Sequence, residues 1–116
     1  MIETVLLNYI ETALTAQGLT IPVCFEVPQN APDTFVKLER TGGNISDHIH
    51  RATFAVQSYA PTLEKAAQLD ALIVGIVLGS PSRDEICAAR LNSHYNYTDT
   101  TTKRYRYQAV FDISHY

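Results

Sequence analysis

The chain has 116 residues, of which 46% are hydrophobic and 18% are charged, and its formal net charge is −3 at pH 7. This length suits a single domain over residues 1–116 with one core, and the composition disfavours both disorder and a coiled coil. Nine basic residues against twelve acidic ones argue against a dedicated nucleic-acid-binding protein. The longest apolar segment is far shorter than the roughly 20 residues that span a bilayer.

Two further features of the composition bear on location. The amino terminus carries an acidic Glu3 and has no positively charged stretch, so it does not read as a secretory signal. Cys24 and Cys87 lie among apolar residues without a CxxC or zinc-type spacing, which predicts two buried, reduced thiols. We therefore expect a cytoplasmic protein, unless an assembly carries it out of the cell.

The first predicted elements are an amphipathic helix and an outer strand. The helix ends near Gln17, with Gly18 as the residue that follows its carboxyl end. Its apolar positions recur at spacings of three and four: Ile2, Val5, Leu6, Tyr9, Ile10, Ala13 and Leu14. Residues 21–27 are rich in β-forming side chains, and Pro22 near their start favours an edge strand.

The next predicted elements are two strands joined through a polar arm. In the strand at 34–40, Phe35, Lys37 and Glu39 point to one side, and the alternate residues point to the other. Gly42 and Gly43 predict a turn with positive φ that ends this strand. Residues 44–50 then predict a protruding hairpin arm that leads into a strand at 51–60, with Phe54 and Val56 in the core.

The rest of the chain predicts a second helix and a final antiparallel pair of strands. Thr62 is the predicted N-cap of the helix, and Gly79 to Pro81 ends it. The pair is predicted at 86–91 and 104–113, joined by a polar connection at 92–103. In the last strand the odd-numbered positions share one face: Tyr105, Tyr107, Ala109, Phe111 and Ile113.

The order α-β-β-β-α-β-β predicts an α+β fold. We expect a mainly antiparallel sheet of about five strands with both helices packed on one face. The opposite face, which would carry Lys37, Arg51, Arg104 and Arg106 or their tyrosine neighbours, is predicted to stay exposed. A sheet with an uncovered face and open edges favours self-association.

A metal site is one interpretation of the hairpin arm. His48 and His50 would lie on the same side of an extended arm, and Asp47 or His94 could supply a third ligand. A histidine pair in a polar arm is more often exposed or in contact with a partner, so we predict no metal and no cofactor.

Catalytic patterns are weak throughout the chain. Asp84 and Glu85 are adjacent, but no spacing brings a second acidic residue to one recognisable site with them. No serine lies in a GxSxG context, and neither cysteine has a local partner that would mark a nucleophile. We therefore expect a protein that is not an enzyme.

Several segments together resemble the small tail-terminator and tail-completion proteins of long-tailed bacteriophages and prophages. The resemblance covers most of the chain. It is carried by the amino-terminal helix, residues 32–43, the strand at 51–60, the alanine-bearing helix segment at 64–69 and the tyrosine-rich last strand. It implies a structural virion protein that forms a ring, typically a hexamer, and stops polymerisation of the tail tube. The ring would also present a surface to the head connector.

The resemblance implies partners and a location, and the residue types suggest where contacts lie. The partners would be other copies of the chain, the tail-tube protein and head connector proteins, with DNA passing through the lumen. The location would be the virion tail, after assembly in the host cytoplasm. Exposed edges and aromatic residues suit a subunit interface, with Tyr59, Tyr105 and Tyr107 as candidates. Contacts with the tube or connector are predicted at five residues of the flexible loops: Asn44, Asp47, His48, His50 and Lys103.

Three alternatives stay open at this level. The chain could be a head-completion or stopper protein, which differs from a terminator only in the neighbour it binds. It could instead be a small α+β ligand-binding domain whose open sheet face holds a small molecule. The alternation of basic and aromatic residues at 102–107 would also suit stacking on single-stranded nucleic acid, but the negative net charge favours a protein interface.

Overall fold

The computed structural model describes residues 1–116 as two helices packed on one face of a five-stranded sheet. The α+β fold class and the element order are confirmed. The helices are α1 (Ile2–Ala16) and α2 (Leu63–Leu78), and a short 3-10 turn at Ser80–Ser82 follows α2. The strands are β1 (Val23–Cys24), β2 (Phe35–Ser46), β3 (Ile49–Ala60), β4 (Ile86–Asn96) and β5 (Tyr105–His115). Neither helix is long and apolar enough to cross a membrane.

The strands are ordered β1-β2-β3-β5-β4 across the sheet. Every pair is antiparallel except β1 and β2, which run parallel over two residue pairs. β4 therefore forms one edge of the sheet. At the other edge, β1 pairs only with Val36 and Lys37 of β2.

One hydrophobic core lies between the helices and the sheet. Both helices contribute an apolar stripe, and the inward-facing positions of all five strands complete the core. Its largest fully buried side chains come from every part of the layer: Leu6, Ile10, Leu14, Leu38, Phe54, Ile73, Phe111 and Ile113. Burying one such side chain contributes about 1.5–3 kcal/mol, so this layer holds the helices on that face.

Both helices end where the sequence predicts. At the end of α1, Gly18 has φ of 77°, its amide donates to the Thr15 carbonyl, and the Leu19 amide donates to the Leu14 carbonyl. These two bonds form a Schellman motif, which a residue with positive φ allows. At the start of α2, the Thr62 hydroxyl accepts from the Lys65 amide at 3.1 Å, as expected of an N-cap.

The turn predicted at Gly42 and Gly43 is wrong, because β2 continues through both glycines to Ser46. A bulge between Arg40 and Gly42 lets the strand continue, and neither glycine has a positive φ. The chain reverses at Asp47 and His48 instead, with φ of 50° and 66°. Positive φ at both central residues of a two-residue hairpin loop is typical of a type I′ turn. The protruding hairpin is thus confirmed, but its turn is made by other residues.

The bounds of the other four strands also differ from the prediction, and β3 begins at Ile49 rather than at residue 51. β1 has two residues rather than seven, and only Val23 and Cys24 pair with β2. β4 extends to Asn96, and β5 extends to His115. The predicted connection at 92–103 shortens accordingly, since its polar first half alternates and pairs with β5. Cys24 and Cys87 are unpaired, as predicted, but half-buried rather than buried.

Candidate functional site

The sheet surface opposite the helices, here called the open face, carries a connected group of polar and aromatic side chains. The pleat places alternate residues of each strand on this surface. One row across the strands contains Lys37, Gln57, Gln108 and Tyr95, and the adjacent row contains Phe35, Tyr59, Arg106 and Tyr97. The open face therefore presents two cross-strand rows rather than scattered polar residues.

Hydrogen bonds join these two rows. The Arg106 guanidinium donates to the Tyr59 hydroxyl at 2.9 Å, and that hydroxyl donates to the Gln57 side-chain oxygen at 3.2 Å. The Gln57 amide donates to Gln108 at 2.8 Å, and Gln108 donates to the Tyr95 hydroxyl at 2.6 Å. The chain of bonds fixes the side chains of three strands in one arrangement.

Aromatic stacking closes the same cluster. The rings of Phe35 and Tyr59 stack with centroids 4.2 Å apart, and the Arg106 guanidinium lies 4.5 Å from the Tyr97 ring centroid. Tyr95 and Tyr97 meet edge to face at 5.9 Å. A guanidinium over an aromatic ring is attracted by the ring quadrupole, and this attraction holds the Arg106 side chain over the Tyr97 ring.

The expectation that the whole open face is exposed is wrong. Phe35 is 1% exposed and Tyr59 is 4% exposed, and Ala55 and Gln57 beside them are also buried. No helix covers them. The long side chains of Arg106, Gln108 and Tyr95 extend over the centre of the face, since their hydrogen bonds run across the sheet. The aromatic floor of the open face therefore contributes to stability.

The open face also differs in charge from the rest of the molecule. Four of the nine basic residues and two of the twelve acidic residues lie on it within the strands, which gives it a formal charge of +2 in a chain of −3. They are Lys37, Arg51, Arg90, Arg106, Glu39 and Asp112. The rest of the molecule, helices and loops together, therefore carries a formal charge of −5.

A polar cleft of about 340 Å³ lies at one end of the open face, between Arg51, Arg90 and Asp112. Neither arginine forms an ion pair, because Asp112 accepts instead from the Thr53 hydroxyl at 3.1 Å and from the Asn92 amide at 3.4 Å. Two guanidinium groups without an acidic partner suit contact with a carboxylate or another anionic group.

The three tyrosines predicted for a subunit interface do not share one surface. Tyr105 and Tyr107 pair with Ala60 and Ser58 and lie on the helix side of the sheet, whereas Tyr59 lies on the open face. Tyr105 is exposed, Tyr107 is half-buried, and Tyr59 is covered by its stacking partner and Arg106. The shared face of Tyr105, Tyr107 and Phe111 is confirmed, but that face is the one that packs on the helices.

The five residues predicted to contact a tube or connector lie at both ends of the sheet. Asn44, Asp47 and His48 are exposed on the hairpin of β2 and β3. His50 is half-buried at the base of that hairpin, where its ring stacks on His115 at 5.2 Å. Lys103, with φ of 56°, lies just before β5 at the opposite end. No group of three or more histidine, cysteine or acidic residues is arranged to hold a metal ion.

A recess of about 230 Å³ opens beside Lys103, between the loop at 31–33, the end of β3 and the start of β5. Phe35 and Tyr59 contribute to its wall, and Asp33, Lys103 and Arg104 lie around it. These groups include one carboxylate and two cations, all exposed, with no histidine, serine or cysteine among the lining residues. The recess can hold a small polar group, but it does not present a nucleophile with a base.

A side-chain hydrogen bond between α2 and β4 is one arrangement that sequence reasoning missed. The His94 Nδ1 atom lies 2.8 Å from the Asp70 Oδ2 atom, and the Asp70 side chain is 2% exposed. The second carboxylate oxygen of Asp70 is buried without a partner. Asp70 on the apolar face of a predicted helix was the available signal, because a buried carboxylate needs a partner from another element.

Both edges of the sheet have long stretches of strand that pair with no other strand. No strand pairs with the outer side of β4, which has 11 residues. On the other side, residues 39–46 of β2 lie beyond β1 and are all exposed. An unpaired strand presents free backbone amides and carbonyls to any chain that can align with it.

Neither a scan against protein-family models nor a search of curated proteins found a match to the chain.

Proposed function

We propose that this chain is a structural assembly protein that forms a ring, ends the polymerisation of a phage tail tube and presents the surface for head joining. Its partners in this role are other copies of itself, the tail-tube protein and a head connector protein. It works by binding and positioning these partners, with no catalytic step, in the host cytoplasm and then in the virion tail.

The observation that carries the proposal is the presence of two different open edges on opposite sides of one sheet. A ring requires a heterologous contact, in which one patch of each subunit meets a different patch of its neighbour. The outer side of β4 and residues 39–46 of β2 are two such patches. A globular enzyme or binding domain usually blocks edges of this length, because they lead to aggregation.

Two further features support contact with a tube or connector. The hairpin of β2 and β3 carries exposed Asn44, Asp47 and His48, of which Asp47 and His48 form its tip. Ile45 beside them is 67% exposed, so the hairpin also offers an apolar group to a partner. The tip of the hairpin is therefore the surface that we assign to the tube or the connector.

The test is the length distribution of tail tubes that polymerise from purified tube protein with and without this chain. Electron microscopy should show shorter tubes of narrow length distribution, each with extra density at one end. A matched variant, Asp47→Asn with His48→Gly, keeps the positive φ of the turn, removes the charge and the imidazole from the hairpin tip, and should associate normally but lose its effect on length. Tubes that are unchanged by the wild-type chain at any concentration would contradict the proposal.

A further inference from the structure

We infer that neighbouring subunits join edge to edge, with β4 of one copy paired antiparallel to the exposed half of β2 in the next copy. This inference rests on the proposed function, since it names the surfaces by which the ring forms. The partner is a second copy of this chain, and the joined sheets carry their helices on the same side.

Strand directions make this pairing antiparallel without any rotation of a subunit in the sheet plane. β2 runs antiparallel to β3, β3 to β5, and β5 to β4, so β2 and β4 point in opposite directions. When a second copy is placed beside the first with its helices on the same side, its β2 lies next to β4 and runs against it. Antiparallel ladders are slightly more stable than parallel ones.

The two edges also lie at the same height in the sheet. The row of cross-strand partners that begins at Ala88 in β4 passes through Ser114 and Arg51 and ends at Asn44 in β2. The row that begins at Arg90 ends at Gly42. A neighbour placed directly alongside would therefore bring Ala88–Arg90 opposite Gly42–Asn44. A sideways approach aligns these segments without a shift along the strands.

The aligned segments of β4 and β2 lie in stretches of regular strand between β-bulges. The register of β4 shifts between Ile86 and Ala88 and again between Leu91 and Ser93, and the register of β2 shifts between Arg40 and Gly42. Bulges twist an edge and restrict pairing. The regular stretches between them are residues 88–91 in β4 and 42–46 in β2, which contain the aligned residues.

Side chains at the two edges match this arrangement. Gly42 and Gly43 have no side chains that would hinder an approaching strand, and Ile45 offers an exposed apolar group near half-buried Ala89 and Cys87 of the neighbour. One group must move, because the Arg40 Nε atom donates to the Gly42 carbonyl at 3.2 Å. Arg40 is a long, partly exposed side chain, so its rotation can open or close this edge.

The first test traps the contact with a disulfide in a chain that lacks its native thiols through Cys24→Ala and Cys87→Ala. Asn44→Cys is combined with Ala88→Cys, since directly opposed residues in an antiparallel pair have Cα atoms about 4.5–5.5 Å apart, within disulfide range. Oxidation should give a series of covalent oligomers on a denaturing gel. The matched control replaces Asn44→Cys by Glu11→Cys on the exposed side of α1, and it should give none.

The second test exchanges charge at the same positions. Ala88→Lys alone should lower the fraction of associated protein at least tenfold, because a lysine on an edge strand hinders pairing. Asn44→Glu added to Ala88→Lys should restore most of the association, and each variant should keep the wild-type circular dichroism spectrum. Recovery in the double variant shows that the two positions meet across the interface.

Both tests are read with and without added tail tubes. If the chain forms oligomers and shortens tubes but neither the disulfide series nor the charge rescue appears, the edge pairing is overturned and the proposed function stands. If the chain stays monomeric and leaves tube length unchanged, both are overturned. Equal cross-linking of the Glu11→Cys control would also overturn the edge pairing.

Discussion

The contact of His94 with Asp70, a side-chain hydrogen bond of 2.8 Å, joins α2 to the edge strand β4. Asp70 is 2% exposed, whereas the His94 side chain is 48% exposed and reaches it from β4. A carboxylate in that position depends on its partner, because leaving a buried acceptor unpaired costs more than the bond itself contributes.

We therefore predict that His94→Ala lowers the free energy of unfolding by about 1–3 kcal/mol. His94→Gln is the matched control, since its side-chain amide can still donate to the Asp70 carboxylate and should keep most of the stability. Urea denaturation followed by tyrosine fluorescence measures both. Equal stabilities for the alanine and glutamine variants would show that the bond contributes nothing.

Asp99 holds the turn between β4 and β5. A hydrogen bond from the Thr102 hydroxyl, followed by those from the Thr101 and Thr102 amides, lowers the pKa of Asp99 below its usual value. A carboxyl whose pKa is lower in the folded state stabilises the turn above its unfolded pKa of about 3.9, and this contribution is lost as the pH falls through the folded pKa.

The expected outcome is a turn that loosens only in acid. Amide exchange at Thr101 and Thr102 should be slow at neutral pH and accelerate, relative to Asp99→Ala, only below about pH 4. In Asp99→Ala the two amides should exchange at every pH at the rate of unprotected amides. An unchanged exchange rate in this variant at pH 7 would contradict the role of the carboxylate.

The sequence correctly predicted the features of single residues that depend on one strand or helix alone. The alternation of β5 correctly placed Tyr105, Tyr107 and Phe111 on one face, but alternation does not show which face the helices cover. The sequence did not predict contacts between residues of distant segments. His94 and Asp70 lie 24 residues apart, and only the packing of α2 against β4 brings them together.

At the scale of elements, the two adjacent glycines in β2 differ in what surrounds them. A Cβ atom on Gly43 would lie 2.6 Å from the Arg51 carbonyl oxygen, which is backbone and cannot move independently. A Cβ atom on Gly42 would meet nothing within 4 Å. The requirement for glycine therefore comes from a close approach of β3 at one position and not from backbone conformation.

We predict that Gly43→Ala destabilises the dilute monomer by about 1–3 kcal/mol, as overpacking does. Gly42→Ala is the control and should stay within about 0.5 kcal/mol of the wild type. Thermal unfolding of both variants decides between the two accounts of the glycine pair. If Gly42→Ala proved as costly as Gly43→Ala, a turn-like backbone at both positions would be the better explanation.

The elements predicted best were those with a strong local signal. Apolar periodicity located both helices, and Gly18 and Thr62 marked their ends. Strand ends were predicted less well because pairing can override composition. β4 was extended by a partner strand that offers its backbone along the whole polar stretch, and β2 passed through two glycines by way of a bulge.

At the scale of the whole molecule, the charge is divided between two sides. The open face carries +2 in a chain of −3, so the rest of the molecule, helices and loops together, carries −5. Sequence alone showed the net charge but not its division, since this depends on which strand faces are covered. The open edges, the hairpin and this division of charge are the features on which the proposed assembly function rests.

The most direct measurement is light scattering of the purified chain after size exclusion over a wide range of concentrations, with and without tail tubes. The account predicts a closed species of fixed mass, about six times the 12.9 kDa chain, that does not grow further as the concentration rises. A mass that stays at one chain throughout, with no binding to added tubes, would contradict ring assembly. A mass that rises without limit would equally contradict it, because open edges that do not close form filaments.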